Sequence, residues 1–338
     1  MDWTGFEQLD RMRRLQGTLL DAFGLGPAEA PYREMFGAQG VSLRRYGSGA
    51  ESGPLVLIVP APIKRPYIWD LAPEVSAVRR CLAHGARVFL VDWRAAPPQF
   101  GLADYAGRLI LECLDAAGAS RAILLAHSLG GLFAAIFGAL HPERVQGLAL
   151  LAAPLHFGAD ARVFSAMVAG IDPGDLPEAL PGSFLSAASL NAAPDTFGAE
   201  RFADAAASLA DPFALHTHLQ VERWALDEFA LPRALVAELA TQIVREDRFA
   251  RGTLELGGLS AAPSRIEAPL LAVIDPRCRL VPPETVLPLL AAAASRDKTV
   301  LHYEGDVGVS LQHVGPLVGR RAHALLWPRI LEWISRVG

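Results

Sequence analysis

The stretch AILLAHSLGGLFAAIFGAL, residues 122–140, decides the fold of this chain. Its first part, AILLA, is a short continuous apolar run, which is typical of a strand buried on both faces. From Gly131 onward apolar residues recur at helical spacing until a proline and charged residues end the pattern. The sequence therefore predicts a strand, a tight turn around Ser128 and a helix.

Ser128 lies at the corner of this predicted strand-turn-helix unit. The surrounding AHSLG matches the G-x-S-x-G pattern of a nucleophile elbow, except that Ala126 stands in the first glycine position. Small residues at Ala126, Gly130 and Gly131 let the backbone turn sharply and hold the Ser128 hydroxyl clear of the sheet. The plainer alternative is an ordinary serine in a glycine-rich turn.

Composition limits the classes of protein that this chain can represent. Of its 338 residues, 51% are hydrophobic and 20% are charged, as in a globular protein with a large core. The net charge of −5 gives no basic footprint for nucleic acid or an anionic membrane. Three cysteines without a C-x-x-C pair suggest neither a disulfide framework nor a cysteine metal site. We expect a cytoplasmic protein.

The rest of the chain divides into four predicted segments. Residues 1–40 are predicted to form an N-terminal helical segment, and its charges argue against a signal peptide or a membrane span. Residues 41–154 and 259–338 are the two parts of an α/β core, and residues 155–258 are a mainly helical cap inserted between them. The strand candidates are VSLRRYG, PLVLIVPAP, ARVFLVDW, AILLAH, QGLALLAAP, PLLAVID and TVLHYEG. Because most are continuous apolar runs separated by helical segments, the sheet is predicted to be mostly parallel.

A serine hydroxyl is a poor nucleophile until a neighbouring base takes its proton, so the elbow requires a histidine. Several histidines follow Ser128 in the chain. His313, in LQHVGPLVG, comes after the last predicted strand and just before the C-terminal helix, where such a base belongs. We predict that His313 is the base. His127, beside the serine, is predicted to face away from the site and either to be structural or to contact the cap.

Several blocks of the chain resemble the polyhydroxyalkanoate synthases, and most closely the shorter synthases that act with a second subunit. The blocks are LIVPAPIKRPYIWDLAPEVSAVRRCLAHGARVFLVDWR (57–94), AHSLGG (126–131), VERWALDEFALP (221–232), REDRFARGTLELGG (245–258), RLVPPET (279–285) and HVGPLVGRRAHALLWPRILEW (313–333). The resemblance implies an α/β-hydrolase fold with a mobile cap, chemistry on 3-hydroxyacyl esters or thioesters, and His313 as the catalytic histidine.

The chain departs from the synthases at the nucleophile. Their box, G-x-C-x-G, carries cysteine where this chain has Ser128. A thiolate accepts and releases thioesters easily, whereas a serine ester suits attack by water. Medium-chain intracellular polyhydroxyalkanoate depolymerases have a similar fold with a serine box. This departure favours a hydrolase.

The acid is the second departure. The family's D-x-x-V-P motif places its aspartate four residues before the proline, where this chain has Cys278 before Pro282. A protonated thiol cannot hold His313 in the required tautomer as a carboxylate does. Asp275, at the end of the strand LLAVI, is the predicted orienting acid. A displaced acid such as Asp306, or no acid at all, remains the alternative.

The oxyanion hole is predicted to use the backbone N–H of Leu129, which follows the nucleophile. The second donor is predicted to be Ile63, because Pro60 and Pro62 have no N–H and leave Ala61 or Ile63. The neighbouring Lys64 or Arg65 is predicted either to meet a carboxylate or a coenzyme A phosphate or to form part of a solvated basic rim. No phosphate loop, dinucleotide motif or metal-ligand spacing occurs, so no cofactor and no metal are expected.

Together these patterns predict a serine hydrolase that cleaves hydroxyacyl esters or polyesters through an acyl-enzyme. The first alternative is an acyltransferase or synthase that uses 3-hydroxyacyl-coenzyme A thioesters. The second is a catalytically decayed protein that binds polymer or a synthase subunit. A synthase-type partner subunit or a homo-oligomer is expected, whereas nucleic acid and a membrane span are not.

Overall fold

A computed structural model describes residues 3–338 of the chain. The strands are β1 (Tyr32–Ala38), β2 (Val41–Tyr46), β3 (Leu55–Val59), β4 (Arg87–Trp93), β5 (Ala122–His127), β6 (Val145–Leu151), β7 (Ala179–Leu180), β8 (Leu231–Pro232), β9 (Leu254–Leu256), β10 (Leu259–Ala261), β11 (Leu270–Ile274) and β12 (Lys298–His302). The α-helices are α1 (Thr4–Asp21), α2 (Ala77–Ala83), α3 (Leu109–Ala116), α4 (Leu129–Leu140), α5 (Arg162–Ala169), α6 (Gly182–Ala192), α7 (Glu200–Ser208), α8 (Pro212–Ala225), α9 (Arg233–Glu238), α10 (Leu287–Ala292), α11 (Gly315–Val318) and α12 (Trp327–Val337). The 3-10 turn Gln312–Val314 follows β12 and contains His313.

The central sheet, within residues 3–338, has eight strands in the order β1-β2-β4-β3-β5-β6-β11-β12. The strands β4, β3, β5, β6, β11 and β12 run parallel to one another, and β2 and β1 add an antiparallel edge. The strand residues of β3, β5 and β11 are buried throughout, as the continuous apolar runs predict. The predicted mostly parallel sheet flanked by helices is therefore confirmed. Ligands of such sheets bind beyond the carboxyl ends of the strands, where β5 leads into Ser128.

Two hydrophobic clusters cover the two faces of the sheet. One contains α3, α4 and much of the insertion, with Phe133 and Phe137 fully buried. The other contains α2, α11 and α12, where Trp327 and Ile330 are fully buried. This two-sided burial fixes the register of the strands, because a slip by one residue would move every apolar side chain to the other face.

The chain between β6 and β11 forms the insertion, which is mainly helical and contains α5 to α9. Its predicted end, Gly258, falls in the two-residue turn of the hairpin formed by β9 and β10. Gly257 and Gly258 have φ values of 57° and 80° there, which suit glycine in a hairpin turn. β10 packs against α4 of the core, so this hairpin joins the insertion to the sheet domain.

The predicted N-terminal helical segment, residues 1–40, contains a strand as well as a helix. Residues 32–38 form the edge strand β1, which sequence patterning missed because nearly all of its side chains are exposed and show no apolar alternation. α1 docks on the insertion, where the Asp10 carboxylate accepts hydrogen bonds from the backbone N–H groups of Gly182 and Ser183. α1 also leaves apolar side chains such as Leu15 and Leu19 exposed.

Candidate active site

Ser128 sits in a strained turn between β5 and α4. Its φ and ψ are 55° and −130°, which lie outside the regions that a serine ordinarily adopts. Neighbouring backbone holds this conformation: the Ser128 N–H donates to the carbonyl of Leu151 at 3.0 Å, and the Ser128 carbonyl accepts from Gly131 at 2.8 Å. The side chain is half-buried at the carboxyl edge of the sheet.

Glycines after Ser128 allow α4 to begin against the sheet. A Cβ at Gly130 would overlap the backbone of Val59 and Pro60 at the end of β3, and a Cβ at Gly131 would overlap the Ala153 side chain. No larger residue fits at either position without moving backbone or neighbouring side chains. The small residues that the elbow pattern requires therefore have a direct steric reason.

His313 lies beside the serine, in the turn Gln312–Val314 after β12. Its Nε2 atom is 2.8 Å from the Ser128 Oγ, so the hydroxyl can donate a hydrogen bond to a neutral imidazole. Two residues 185 positions apart in the sequence are thus brought into the contact that base-assisted nucleophilic attack requires. Only 7% of His313 is exposed.

The surroundings of His313 keep its ring neutral. Burial lowers the pKa of His313 well below its ordinary value, and the nearby His127 ring lowers it further. A neutral imidazole can accept the serine proton, whereas a protonated one cannot. His313 can therefore act as a base at neutral pH.

His127 contacts the base directly, contrary to the prediction that it faces away. Its Nε2–H donates to the backbone carbonyl of His313 at 2.8 Å, and the two rings lie 4.7 Å apart. Burial lowers the pKa of His127 to about 4, so this donor is neutral too. The sequence offered one indication of this role. His127 is the last residue of β5, and the loop that carries His313 lies at the same edge of the sheet.

The predicted acid Asp275 is not hydrogen-bonded to His313. The buried Asp275 carboxylate instead accepts from the backbone N–H of Arg277 at 2.9 Å, in a turn directly after β11. The alternative acid, Asp306, accepts from the backbone N–H groups of Arg321 and Ala322 at 2.6 and 3.1 Å. Asp275 is therefore engaged within its own turn, and Asp306 by the backbone between α11 and α12.

The Nδ1 atom of His313 is buried and has no hydrogen-bond partner among residues 3–338. Cys278, which the sequence resemblance aligns with the family's aspartate, accepts through its Sγ from the Val281 N–H at 3.3 Å. Burial raises the pKa of the Cys278 thiol to about 11, so it is protonated at neutral pH. The site is thus a serine-histidine pair in which nothing in the described chain orients the base through its second nitrogen.

The sequence model of the alpha/beta hydrolase fold matches residues 54–180, which include β3, the elbow and the start of the insertion. The chain has the α/β-hydrolase fold. A solved structure of a hydrolase from Pseudomonas aeruginosa superposes with a TM-score of 0.57 at 19% identity, covering 91% of this chain and 99% of that one. At that identity the likeness concerns the fold alone.

This α/β-hydrolase-fold chain is similar along its length to subunits of polymerases. It is 28% identical to the poly(3-hydroxyalkanoate) polymerase subunit PhaC of Allochromatium vinosum, covering 97% of this chain and 96% of that protein. It is 26% identical to the subunit of the same name from Synechocystis, covering 97% and 89%. The resemblance expected from the sequence blocks is confirmed.

The loop after β3 carries the predicted second oxyanion donor of this α/β-hydrolase fold. The Ile63 carbonyl accepts from the Phe229 N–H at 2.9 Å, which fixes the loop against the segment after α8. Leu129 is the first residue of α4, and its N–H has no acceptor inside the helix. Leu129 and Ile63 stay the predicted oxyanion donors.

Lys64 also contacts the end of α8 and the segment after it, and it does not form a solvated rim. Its Nζ donates to the Ala225 carbonyl at 2.6 Å and to the Glu228 carboxylate at 3.1 Å. Burial lowers the pKa of Lys64 to about 8, although Glu228 opposes that shift. A free cation for a coenzyme A phosphate is therefore not present at this position.

A cavity of about 1070 Å³ lies between the insertion and the loop that carries His313. His313, Cys278 and Asp275 line it together with arginines and acids of both flanking segments. Within residues 3–338 no group of three or more histidine, cysteine, aspartate or glutamate side chains is arranged to hold a metal ion. In the same range, no helix combines the length and the apolar character that crossing a bilayer requires.

Proposed function

We propose that this chain is a serine acyl-transfer enzyme that takes a hydroxyacyl group onto Ser128 and passes it to a hydroxyl acceptor. The observation that carries the proposal is the 2.8 Å contact between Ser128 Oγ and His313 Nε2 at a strained elbow. The similarity to polymerase subunits over 97% of the chain favours transfer over hydrolysis. The proposal thus reverses the preference for a hydrolase that Ser128 alone gave.

In the first step Ser128 Oγ attacks the carbonyl carbon of a 3-hydroxyacyl ester or thioester while His313 Nε2 takes its proton. The N–H groups of Leu129 and Ile63 are the proposed donors to the oxygen that becomes negative. The bond to the leaving thiolate or alkoxide then breaks, and the leaving group receives the proton from His313. The product is an oxygen ester on Ser128.

In the second step the hydroxyl of another hydroxyacyl group attacks the Ser128 ester. His313 takes the proton of that hydroxyl and returns a proton to Ser128 Oγ as the ester bond to the enzyme breaks. The acceptor ends one hydroxyacyl unit longer and the serine is regenerated. The step needs no metal or redox partner.

Water competes with this acceptor at the Ser128 ester. His313 is only 7% exposed, but Ser128 is half-buried and His313 lines the cavity of about 1070 Å³. Transfer to the organic hydroxyl therefore requires a bound substrate that fills this cavity and excludes water. Hydrolysis remains the second candidate function because an oxygen ester on serine is harder to pass to a weak alcohol than a thioester is.

A third candidate is a decayed protein that binds polymer or a synthase subunit without catalysis. The Nδ1 of His313, which is buried and has no partner, supports this candidate. A fluorophosphonate separates this candidate from an enzyme, because an inert scaffold has no activated serine to modify. We propose a synthase-type partner subunit or a second copy of this chain as the assembly partner, on the basis of the same similarity.

The deciding experiment is a product analysis with and without a partner subunit. Purified chain is given 3-hydroxybutyryl-coenzyme A, hydroxybutyrate oligomers and short aryl esters, and the products are separated by mass. Transfer predicts oligomers longer than the starting acyl group. Free 3-hydroxybutyrate as the sole product, with the partner subunit present, would show a hydrolase instead.

A further inference from the structure

The loop between β12 and His313 is held by a carboxylate of the insertion. Asp204, on α7, accepts from the backbone N–H of Gly308 at 2.9 Å and from that of Ser310 at 2.7 Å. The same carboxylate accepts from His218 Nδ1 on α8 at 2.8 Å. Asp204 and His218 are both buried. One side chain thus fixes two backbone groups of the segment that leads directly to the base.

The loop adopts a conformation that it would not keep unaided. Ser310 has a φ of 60°, in the left-handed region that disfavours residues with a Cβ. Its hydroxyl donates to Glu222 of α8, and Glu222 is in turn paired with Arg201. Residues in strained conformations persist when surrounding contacts over-determine them. The contacts at Ser310 are of this kind, and His313 follows three residues later.

A second contact joins the same loop to α8. Gly308 has a φ of 86°, and a Cβ there would overlap the backbone of Ala214. The loop backbone therefore lies directly against the helix. Displacing α7 and α8 would remove the Asp204 hydrogen bonds and this packing contact together.

We propose that Asp204 is a positioning residue that holds His313 at hydrogen-bond distance from Ser128 by clamping the preceding loop to the insertion. The inference rests on the proposed function, since it needs Ser128 and His313 as the reacting pair. When an amide replaces the carboxylate, one of the buried N–H groups of Gly308 and Ser310 loses its acceptor and faces an NH2 donor instead, and the loop relaxes away from its strained conformation. The insertion is then a part of the machinery that aligns the base, and transfer requires it to be docked.

The test measures the inactivation of the full-length chain by a fluorophosphonate, which needs no knowledge of the natural substrate. The maximal rate constant of inactivation measures how well Ser128 and His313 are aligned. The half-saturating concentration measures probe binding. The labelled fraction measures how much of the protein is folded. For Asp204→Asn we expect the rate constant to fall about 10- to 100-fold, the loss that misplacing a catalytic group by about 1 Å produces. The half-saturating concentration is expected to change less than about twofold, because the residue does not touch the probe.

Asp247→Asn is the matched control. Asp247 is a buried carboxylate of the insertion that accepts from the Phe157 N–H at 3.0 Å and pairs with His156, but it has no bond to the histidine loop. Its φ of 51° is one that asparagine tolerates. This variant should lose stability while its labelled molecules react at the wild-type rate.

Gly308→Ala provides a second variant for the case in which Asp204→Asn does not fold. It keeps the carboxylate but forces the loop off Ala214, and it should reproduce the lower rate constant with unchanged probe binding. Wild-type rates in folded Asp204→Asn, or in Gly308→Ala if that is the only folded variant, would overturn the clamp. Failure of the proposed function is a different result, namely a wild-type chain that the probe does not label at Ser128.

Discussion

The Nε2–H of His127 donates to the carbonyl of His313 at 2.8 Å, so the residue before the nucleophile holds the backbone of the base. Ser128 and His313 are thus joined twice, once through their side chains and once through the neighbouring histidine. Because His127 is the last residue of β5, the sheet itself fixes the distance between nucleophile and base. The exact placement of His313 depends on the sheet on one side and on the clamped loop on the other.

Substituting His127 with alanine removes this attachment. His127→Ala should slow fluorophosphonate labelling about 10- to 100-fold, since the base loses its fixed distance to Ser128. It should also lower the free energy of unfolding by about 1–3 kcal/mol, because the His313 carbonyl loses its partner in a buried site. Labelling kinetics and urea unfolding measure the two effects. An unchanged labelling rate would mean that the His127 contact plays no part in alignment.

The acid can be tested by comparing two substitutions. Because the Asp275 carboxylate caps its own turn, Asp275→Asn should lower turnover less than about tenfold, whereas loss of a true orienting acid costs about 10⁴. Cys278→Asp should raise turnover, since it restores a carboxylate at the position of the family's aspartate. The measurement is steady-state turnover of an aryl ester. A loss near 10⁴ in Asp275→Asn would restore Asp275 as the acid.

Two glycines of α4 form a matched pair for the geometry of the elbow. A Cβ at Gly130 overlaps the backbone of Val59 and Pro60, whereas a Cβ at Gly138 comes no closer than 3.7 Å to any neighbour. Gly130→Ala should therefore destabilise the protein by about 1–3 kcal/mol and impair labelling. Gly138→Ala should be neutral or stabilise it by up to about 1 kcal/mol, because alanine favours the helix. Equal unfolding free energies for the two variants would contradict this packing.

Buried neutral histidines make the fold sensitive to acid. The pKa values of His127 and His323 are lowered to about 4 by burial, from 6.5. Between these values the unfolded chain binds protons that the folded chain does not, so stability is full above about pH 6.5 and is lost as the pH falls towards 4. Each group contributes about 1.4 kcal/mol per pH unit in that window.

His323→Gln tests this linkage against the exposed His302→Gln. Urea unfolding at about pH 7 and about pH 5 gives the loss of stability on acidification, which should shrink by about 2 kcal/mol in His323→Gln. The loss should be unchanged in His302→Gln. The same loss in both variants would show that burial of His323 does not govern the acid response.

Patterning in the sequence predicted the parts of the site that depend on local chemistry. Continuous apolar runs marked β3, β5 and β11, and the small residues around Ser128 marked the elbow. The position of His313 after the last strand was sufficient to place it near Ser128, since the carboxyl ends of parallel strands share one edge.

Contacts between distant segments could not be predicted in the same way. The edge strand β1 carries exposed side chains without an apolar pattern, and so its pairing with β2 was missed. The Asp275 carboxylate is engaged by the backbone N–H of Arg277 at 2.9 Å and by the Arg277 guanidinium at 3.6 Å. The Asp204 carboxylate bonds to backbone groups that lie 104 and 106 residues away in the sequence, so no local pattern predicts these contacts.

The most direct test of the account is to find where the acyl group is attached after brief incubation with 3-hydroxybutyryl-coenzyme A. Peptide mass spectrometry of the quenched enzyme should show one hydroxybutyryl group on the peptide containing Ser128. The adduct should be absent in Ser128→Ala and should form at least about 10²-fold more slowly in His313→Ala, since general base catalysis contributes that much. An enzyme that turns over the thioester with no adduct on Ser128, or with the adduct on another residue, would contradict the central claim.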